Sequence, residues 1–88
     1  METIKLNYWY DLPENYTGII EWNTGIISYY LNGFYHREDG PAVTHPNGNM
    51  YYLNNNHITK EVKDWIIENN IPKVWDNSHK LIFKLTFG

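Results

Sequence analysis

The chain contains no cysteine, so neither disulfide bonds nor thiolate metal ligands can stabilise it. It also lacks any apolar run of about 18 residues, the length that a transmembrane helix needs. Its N-terminal stretch METIKLNYWY has neither the basic start nor the long apolar segment of a signal peptide. We therefore expect no membrane association and a location in a reducing compartment, the cytoplasm.

Charged residues are scarce as well. They make up 19% of the chain, the formal net charge is −3, and Arg37 is the only arginine. Binding to nucleic-acid phosphates needs a clustered basic surface, which this composition does not supply. We therefore expect no nucleic-acid partner.

Aromatic residues, in contrast, are abundant. Among 88 residues there are eight Tyr and four Trp, and aromatics account for 17% of the chain. Tyrosine combines a rigid ring with a polar tip, which suits half-buried strands and binding interfaces. A chain of this length is expected to form one small domain, 1–88, that buries only about 60 to 65% of its unfolded surface.

Alternation and turn residues predict β structure in the first two thirds of the chain. In 1–13 the stretch TIKLNYWYDLP alternates until a proline, which predicts an N-terminal strand over Thr3 to Tyr10. Between 17 and 58, β-branched and aromatic segments are separated by groups that favour tight turns. These groups are Asn23-Thr24-Gly25, Asn32-Gly33, Asp39-Gly40-Pro41, Pro46-Asn47-Gly48 and Asn54-Asn55. The pattern predicts an antiparallel β-meander.

The meander contains an internal repeat. A shift of 22 residues aligns Gly18 with Gly40, and Tyr29-Tyr30 with Tyr51-Tyr52. Such a period is typical of hairpin units that bury their faces only against neighbouring units. Two units are too few to be stable alone, so the flanking segments are expected to cap them.

The last third predicts a helix and a strand. In 59–70, Val62, Trp65 and Ile66 have helical spacing, with Thr59 as N-cap and Asn69 or Asn70 in the left-handed position at the end. In 79–87 apolar residues occupy every second position, which predicts a terminal strand with the N-terminal strand as one candidate partner. We therefore predict an α+β, mainly β fold: two hairpin repeats capped by one helix and a final strand.

Residues 30–43, YLNGFYHREDGPAV, resemble the W/Y-x-x-N-G-x-x-H-R-x-D-G-P-A repeat of small phage and large-DNA-virus proteins, a variant related to MORN-type repeats. The matching positions are Asn32, Gly33, His36, Arg37, Asp39, Gly40, Pro41 and Ala42. The first copy departs from the pattern at TGII and the second at YYLNNNHITKEV, while the ending IFKLTFG resembles the tail of phage members. The resemblance implies β-hairpin repeats with a structural or interaction role, and a phage origin that would place the protein in the host-cell cytoplasm. It implies no activity.

The stretch His36-Arg37-Glu38-Asp39 has two interpretations. A histidine beside a carboxylate could act as a general acid or base. Alternatively, Asp39 caps the turn into Gly40-Pro41, while His36 and Arg37 stack on tyrosines of the next unit and satisfy loop carbonyls. Recurrence in every repeat of a family favours packing, because catalysis needs a group only once. We therefore predict that the protein is not an enzyme.

Four histidines are candidate zinc ligands, namely His36, His45, His57 and His79. No two of them have the helical i, i+3 or i, i+4 spacing of a metal-binding pair. His36 and His57 lie 21 residues apart, close to one repeat, and could meet at one edge. Neither serine has the context of a catalytic nucleophile, and no glycine-rich loop opens a helix. We predict neither a metal nor a cofactor.

The paired tyrosines are the best candidates for a binding surface. Adjacent side chains of a strand point to opposite faces, so one of each pair faces away from the core. Tyr and Arg are also enriched among residues that dominate binding. The predicted contact residues are Tyr29, Tyr30, Tyr35, Arg37, Tyr51 and Tyr52. Alternatively, Trp9, Trp65 or the N-terminal strand covers them.

These patterns favour a protein-binding module: an inhibitor that occludes a surface of a host protein, such as a CRISPR-type component of bacterial anti-phage defence. One alternative is a sponge that sequesters a nucleotide messenger between aromatic faces. Another is a virion or other structural repeat protein. Unpaired sheet edges permit either a monomer or a two-fold homodimer.

Overall fold

Residues 2–87 are described by a computed structural model, in which they form eight short strands, one 3₁₀ helix and two α-helices. The strands are β1 (Thr3–Leu6), β2 (Gly18–Trp22), β3 (Ile27–Leu31), β4 (Phe34–Tyr35), β5 (Val43–His45), β6 (Gly48–Met50), β7 (Tyr52–Leu53) and β8 (Asn56–His57). The helices are α1 (Thr59–Glu68) and α2 (Asn77–Phe87), and the 3₁₀ helix spans Trp9–Asp11. The predicted α+β class is confirmed.

Six of the strands form one mixed sheet in the order β1-β2-β3-β5-β6, with β4 paired to the end of β3. All pairs are antiparallel except β1 with β2, which run parallel. The strands β7 and β8 form a separate antiparallel hairpin. The short hairpins β3–β4 and β7–β8 follow the same 22-residue offset, since β4 begins at Phe34 and β8 at Asn56.

Asparagine and glycine make the tight turns at four of the five predicted positions. The residues with positive φ there are Gly25 (88°), Asn32 (52°), Gly33 (85°), Gly48 (152°), Asn54 (48°) and Asn55 (69°). Two successive positive φ angles at Asn32-Gly33 and at Asn54-Asn55 match the twist of a two-residue hairpin. At the fifth position, Gly40 has no positive φ, and it lies close to the side chain of Arg37.

The N-terminal strand is shorter than the predicted Thr3 to Tyr10. The last pair in the parallel register of β1 and β2 is Leu6 with Trp22, and β2 ends there. Residues 7–10 therefore have no neighbouring strand to bond. They turn into the 3₁₀ helix instead, where the Asp11 N–H donates to the Tyr8 carbonyl at 3.1 Å.

Residues 77–87 form α2, so the predicted terminal strand over 79–87 is wrong. Asp76 stands before the helix, and its Oδ1 accepts a hydrogen bond from the His79 N–H at 2.9 Å. This bond caps the helix and holds the pKa of Asp76 below its ordinary value. The stretch predicted as a turn before a strand is therefore the start of a helix.

The packing of Phe83 and Phe87 explains why this segment forms a helix although its apolar residues alternate. The two residues fit both patterns, because they are four apart and lie on one helical face. Phe83 is fully buried and its ring lies 5.9 Å from the ring of Trp65 on α1 and 5.2 Å from that of Trp75. The helix leaves the alternating partners Leu81 and Leu85 exposed.

Tyr51 joins the helices to the sheet region. The core cluster on this side consists of Tyr51, Val62, Trp65 and Phe83. The Tyr51 N–H donates to Thr59 Oγ1 at 3.0 Å, so the hydroxyl of Thr59 does not cap α1 as predicted. At the other end, Asn70 takes the predicted left-handed position, with φ 52°.

Within residues 2–87, neither helix combines the length and apolar character needed to cross a bilayer.

We expect Phe83→Ala to lower the free energy of unfolding by about 3 to 5 kcal/mol, because it empties a buried site. Leu85→Ala should change it by no more than about 0.5 kcal/mol, because Leu85 is 77% exposed. Urea unfolding measures both, and Phe83→Leu gives the same ordering should the alanine variant be unfolded. Equal losses of unfolding free energy at the two positions would instead indicate that residues 79–87 form a strand, because a strand places both side chains on one face.

Candidate functional site

Arg37 lies at the centre of the loop that follows β4. Its guanidinium carbon is 4.1 Å from the centroid of the Tyr29 ring. Its Nε donates to Asp39 Oδ1 at 2.8 Å, and its Nη1 donates to the Pro41 carbonyl at 3.2 Å. Gly40 permits this approach, because a Cβ there would lie 3.0 Å from the guanidinium carbon. Arg37 thus stacks on a tyrosine of its own unit, not of the next unit as predicted.

His36 connects this loop to the second hairpin and to α2. Its Nδ1 accepts the Asn54 N–H at 2.9 Å, so the neutral ring carries its proton on Nε2, 3.3 Å from Glu38 Oε1. The other oxygen of Glu38 lies 3.1 Å from Lys84 Nζ. Hydrogen bonds from Lys84 and then from His36 lower the pKa of Glu38. Glu38 is therefore an ionised bridge between the loop and the helix.

Backbone hydrogen bonds fasten the same two hairpins. The Arg37 N–H donates to the Tyr52 carbonyl at 3.2 Å, and the Asn55 N–H donates to the Tyr35 carbonyl at 2.8 Å. The rings of Tyr35 and Tyr52 are thereby held with centroids 5.0 Å apart. We call the segment His36–Asp39 the junction, since its contacts are those of a packing element between β3–β4 and β7–β8.

A row of aromatic rings crosses both hairpins beside the junction. Successive centroids are 5.1 Å apart from Tyr30 to Tyr35, 5.0 Å from Tyr35 to Tyr52, and 4.8 Å from Tyr52 to His57. Rings at these distances attract one another beyond their simple burial. The row therefore fixes the orientation of Tyr35 and Tyr52.

The six predicted contact residues differ in accessibility. Tyr30 and Tyr51 are 5% and 7% exposed, so their prediction as contact residues is corrected. Burial raises the pKa of both hydroxyls. The other four, Tyr29, Tyr35, Arg37 and Tyr52, are half-buried. The first pair buries its second member, Tyr30, and the second pair buries its first member, Tyr51. The difference arises because Trp75 and Phe83 cover Tyr51, whereas its counterpart Tyr29 is covered by Arg37.

The histidines serve local contacts and do not gather into a site. His45 Nδ1 accepts the Asn47 N–H at 3.0 Å, His57 stacks on Tyr52, and His79 lies in the first turn of α2, where its N–H donates to Asp76. Within the described part of the chain, no three His, Cys, Asp or Glu side chains are grouped to hold a metal ion.

An open groove of about 390 Å³ lies on the sheet face that carries Ser28 and Val43. Its walls include two tryptophans, Trp9 and Trp22, and the two adjacent tyrosines Tyr35 and Tyr52. The complete lining is Asn7, Trp9, Trp22, Asn23, Thr24, Ile26, Ser28, Tyr35, Val43, His45, Met50 and Tyr52. We call this site the aromatic groove.

Trp9 forms the exposed rim of the aromatic groove. Its side chain is 79% exposed although it belongs to the 3₁₀ helix that the chain makes after β1. Tyr10 meets it edge-on at 5.8 Å, and Tyr10 in turn is stacked on Tyr8 at 5.2 Å. The neighbouring rings thus support Trp9 from outside the groove. Trp22 also lines the groove, and its indole is held by a 3.2 Å hydrogen bond from its N–H to Ser28 Oγ.

The aromatic groove carries no formal charge, because none of its lining residues is Asp, Glu, Lys or Arg. Its polar groups are amides, hydroxyls, the indole N–H groups of Trp9 and Trp22, and the imidazole of His45. It can therefore hold a neutral group by ring contacts and hydrogen bonds.

A second hollow, of about 450 Å³, lies around Tyr29 and the junction. Arg37 lines it, but the guanidinium is already paired with Asp39 and stacked on Tyr29. Tyr29 and Ser28 are neighbours in β3, so their side chains point to opposite faces of the sheet. Arg37 consequently does not reach the aromatic groove.

Trp9, Trp22 and Met50 line the groove but are not among the predicted contact residues. One signal for Trp9 is present in the sequence, since three successive aromatics, Tyr8-Trp9-Tyr10, cannot all face the core from one strand. The position of Trp22 beside this segment depends on the parallel pairing of β1 with β2, which no local pattern reveals.

In comparisons with known proteins, no family model, curated protein or solved structure matches the chain.

Gly40→Ala should destabilise the protein by about 1 kcal/mol or less, because the new methyl group displaces the guanidinium of Arg37 by a few tenths of an ångström. Chemical denaturation of Gly40→Ala, Arg37→Ala and the double variant measures the coupling. In the Arg37→Ala background the Gly40 substitution should cost clearly less. Additive losses would show that the two residues do not depend on each other.

Glu38 should contribute stability that depends on pH. Its pKa is lowered in the folded protein, so the contribution is present above the unfolded pKa, near 4.5, and is lost as the pH falls through the folded value. Because Glu38 and Lys84 are partly exposed, we expect no more than about 1 kcal/mol. Thermal melting of wild type and Glu38→Gln from neutral to acidic pH tests this. The melting temperatures of the two proteins should converge on acidification. A difference that stays constant with pH would contradict a stabilising role for the charge of Glu38.

Proposed function

We propose that this protein is a binding module that acts by covering a surface of a partner protein, with the aromatic groove as its contact site. The observation that carries the proposal is the exposure of Trp9 on the rim of a neutral groove walled by Trp22, Tyr35 and Tyr52. Large aromatic side chains are the residues most enriched among those that dominate protein interfaces.

Trp9 leaves a large apolar ring in water, and a partner that covers this ring gains free energy. A tryptophan side chain buries about 150 to 250 Å² when it is covered. At about 25 cal/mol per Å², covering most of that area contributes on the order of 4 kcal/mol before the costs of association. The 3₁₀ helix and the ring of Tyr10 already orient Trp9, which reduces the ordering cost on binding.

We further propose that the partner is a host protein, specifically a CRISPR-type component of bacterial anti-phage defence. Support comes from the resemblance of residues 30–43 to repeats of phage and large-DNA-virus proteins. In this proposal the protein inhibits by steric occlusion, so it needs no reactive group.

The nucleotide-sponge alternative requires a cation near an aromatic face to bind the phosphate. Arg37 lines the second hollow instead of the aromatic groove, and its pairing with Asp39 would have to be broken. The groove that Trp9, the most exposed aromatic side chain among residues 2–87, lines therefore favours a neutral partner surface over an anionic nucleotide.

The experiment is site-specific photocrosslinking with benzoylphenylalanine at position 9, and at position 85 as a matched control. Both side chains are highly exposed, but Leu85 lies on α2, outside the lining of the groove. Irradiation in a host lysate should give a discrete adduct from position 9 and none from position 85. Excess unlabelled wild type should suppress the adduct, and excess Trp9→Ala should not.

Phage plating on a host that carries the defence system tests the proposal that the protein inhibits this system. Expression of wild type should restore plaque formation, and Trp9→Ala should lose at least most of that effect while Leu85→Ala keeps it. Adducts from position 85 alone would overturn the assignment of the contact site. Restored plating by Trp9→Ala as well would overturn the role of the groove in inhibition.

A further inference from the structure

We infer that the occupant of the aromatic groove is an uncharged, proline-rich segment of the partner, bound in the extended polyproline II conformation. The inference rests on the proposed function, and it specifies the chemistry of the segment that enters the groove. Proline-rich segments are known to dock between aromatic side chains of small β domains.

Charge is the first reason. The chain carries 17 charged residues, 7 basic and 10 acidic, yet none lines the groove. A charged segment that enters would lose water without gaining a counter-charge, which is strongly unfavourable. The matching occupant is therefore neutral along the part that is buried.

Hydrogen bonding is the second reason. His45 Nδ1 accepts the Asn47 N–H, so the neutral ring has its N–H at Nε2 as a donor. Trp9 carries an indole N–H on an exposed ring, and an indole cannot accept. No lining residue supplies a carboxylate acceptor. A proline-rich segment is complementary to these two donors, because its carbonyls accept and its prolines have no N–H.

Shape is the third reason. The groove is open, and its lining includes four flat rings, two indoles and two phenols. The rings of Tyr35 and Tyr52 are fixed by the aromatic row, and Trp22 is fixed by Ser28. Preformed walls suit a ligand that is itself stiff before binding, as polyproline II is, since little conformational entropy is lost on either side.

Titration of the full chain with octaproline, followed by NMR of the tryptophan indole N–H groups, tests the inference. The indole signals of Trp9 and Trp22 should shift in a saturable way. Those of Trp65 and Trp75, which pack in the helical cluster, should stay in place and serve as internal controls. Trp9→Ala should weaken the affinity at least roughly tenfold, and Leu85→Ala should leave it unchanged.

Two further probes identify the class of ligand. An octapeptide of alternating glycine and serine has the same backbone length without the rings, and maltohexaose is a neutral oligosaccharide. The inference predicts a response to octaproline alone. Equal shifts with the glycine-serine peptide, or shifts with maltohexaose and none with octaproline, would overturn it.

The outcome also separates this inference from the proposed function. If octaproline leaves all indole signals unchanged while position 9 still crosslinks to a partner, the proline-rich occupant is wrong and the binding module stands. If the crosslink from position 9 is missing as well, both are wrong.

Discussion

The contact between the junction and the second hairpin is the interaction on which the rest of the structure depends. His36 accepts the N–H of Asn54, and Arg37 donates its own N–H to the carbonyl of Tyr52. These bonds place Tyr52 beside Tyr35 and so build one wall of the aromatic groove. Through Glu38 and Lys84 the same segment reaches α2. The junction has residue types that active sites use, yet its contacts position the aromatic groove, to which the junction itself contributes no lining residue.

Local patterns predict much of this fold. Asparagine and glycine mark the hairpin turns, and Val62 and Trp65 mark α1, because each signal depends only on neighbours in sequence. The two wrong elements depend on distant partners. Residues 7–10 leave the strand because β2 ends at Trp22, and α2 forms because Phe83 packs on Trp65 and Trp75. Period-two alternation is present in α2, and tertiary packing overrides it.

The site is less predictable than the fold for a related reason. Alternation predicts that one tyrosine of each pair faces away from the core, but it does not predict which of the two does so. The two units in fact bury opposite members of the pair. The sequence does identify Tyr35 and Tyr52. It does not identify Trp9 and Trp22 as further lining residues, because the position of Trp22 beside residues 7–10 depends on the parallel pairing of β1 with β2. Long-range topology therefore decides the composition of the aromatic groove.

The junction packs the two hairpins against each other, and we propose that the groove binds the partner, so a bound partner should protect the groove segments of the chain. Hydrogen–deuterium exchange of the protein, free and with its crosslink-identified partner, measures this most directly. We predict slower exchange in the partner complex at the groove segments, 7–11 and 23–26, and little change in the exposed face of α2. Protection centred on α2 with unchanged exchange at 7–11 and 23–26 would contradict the account.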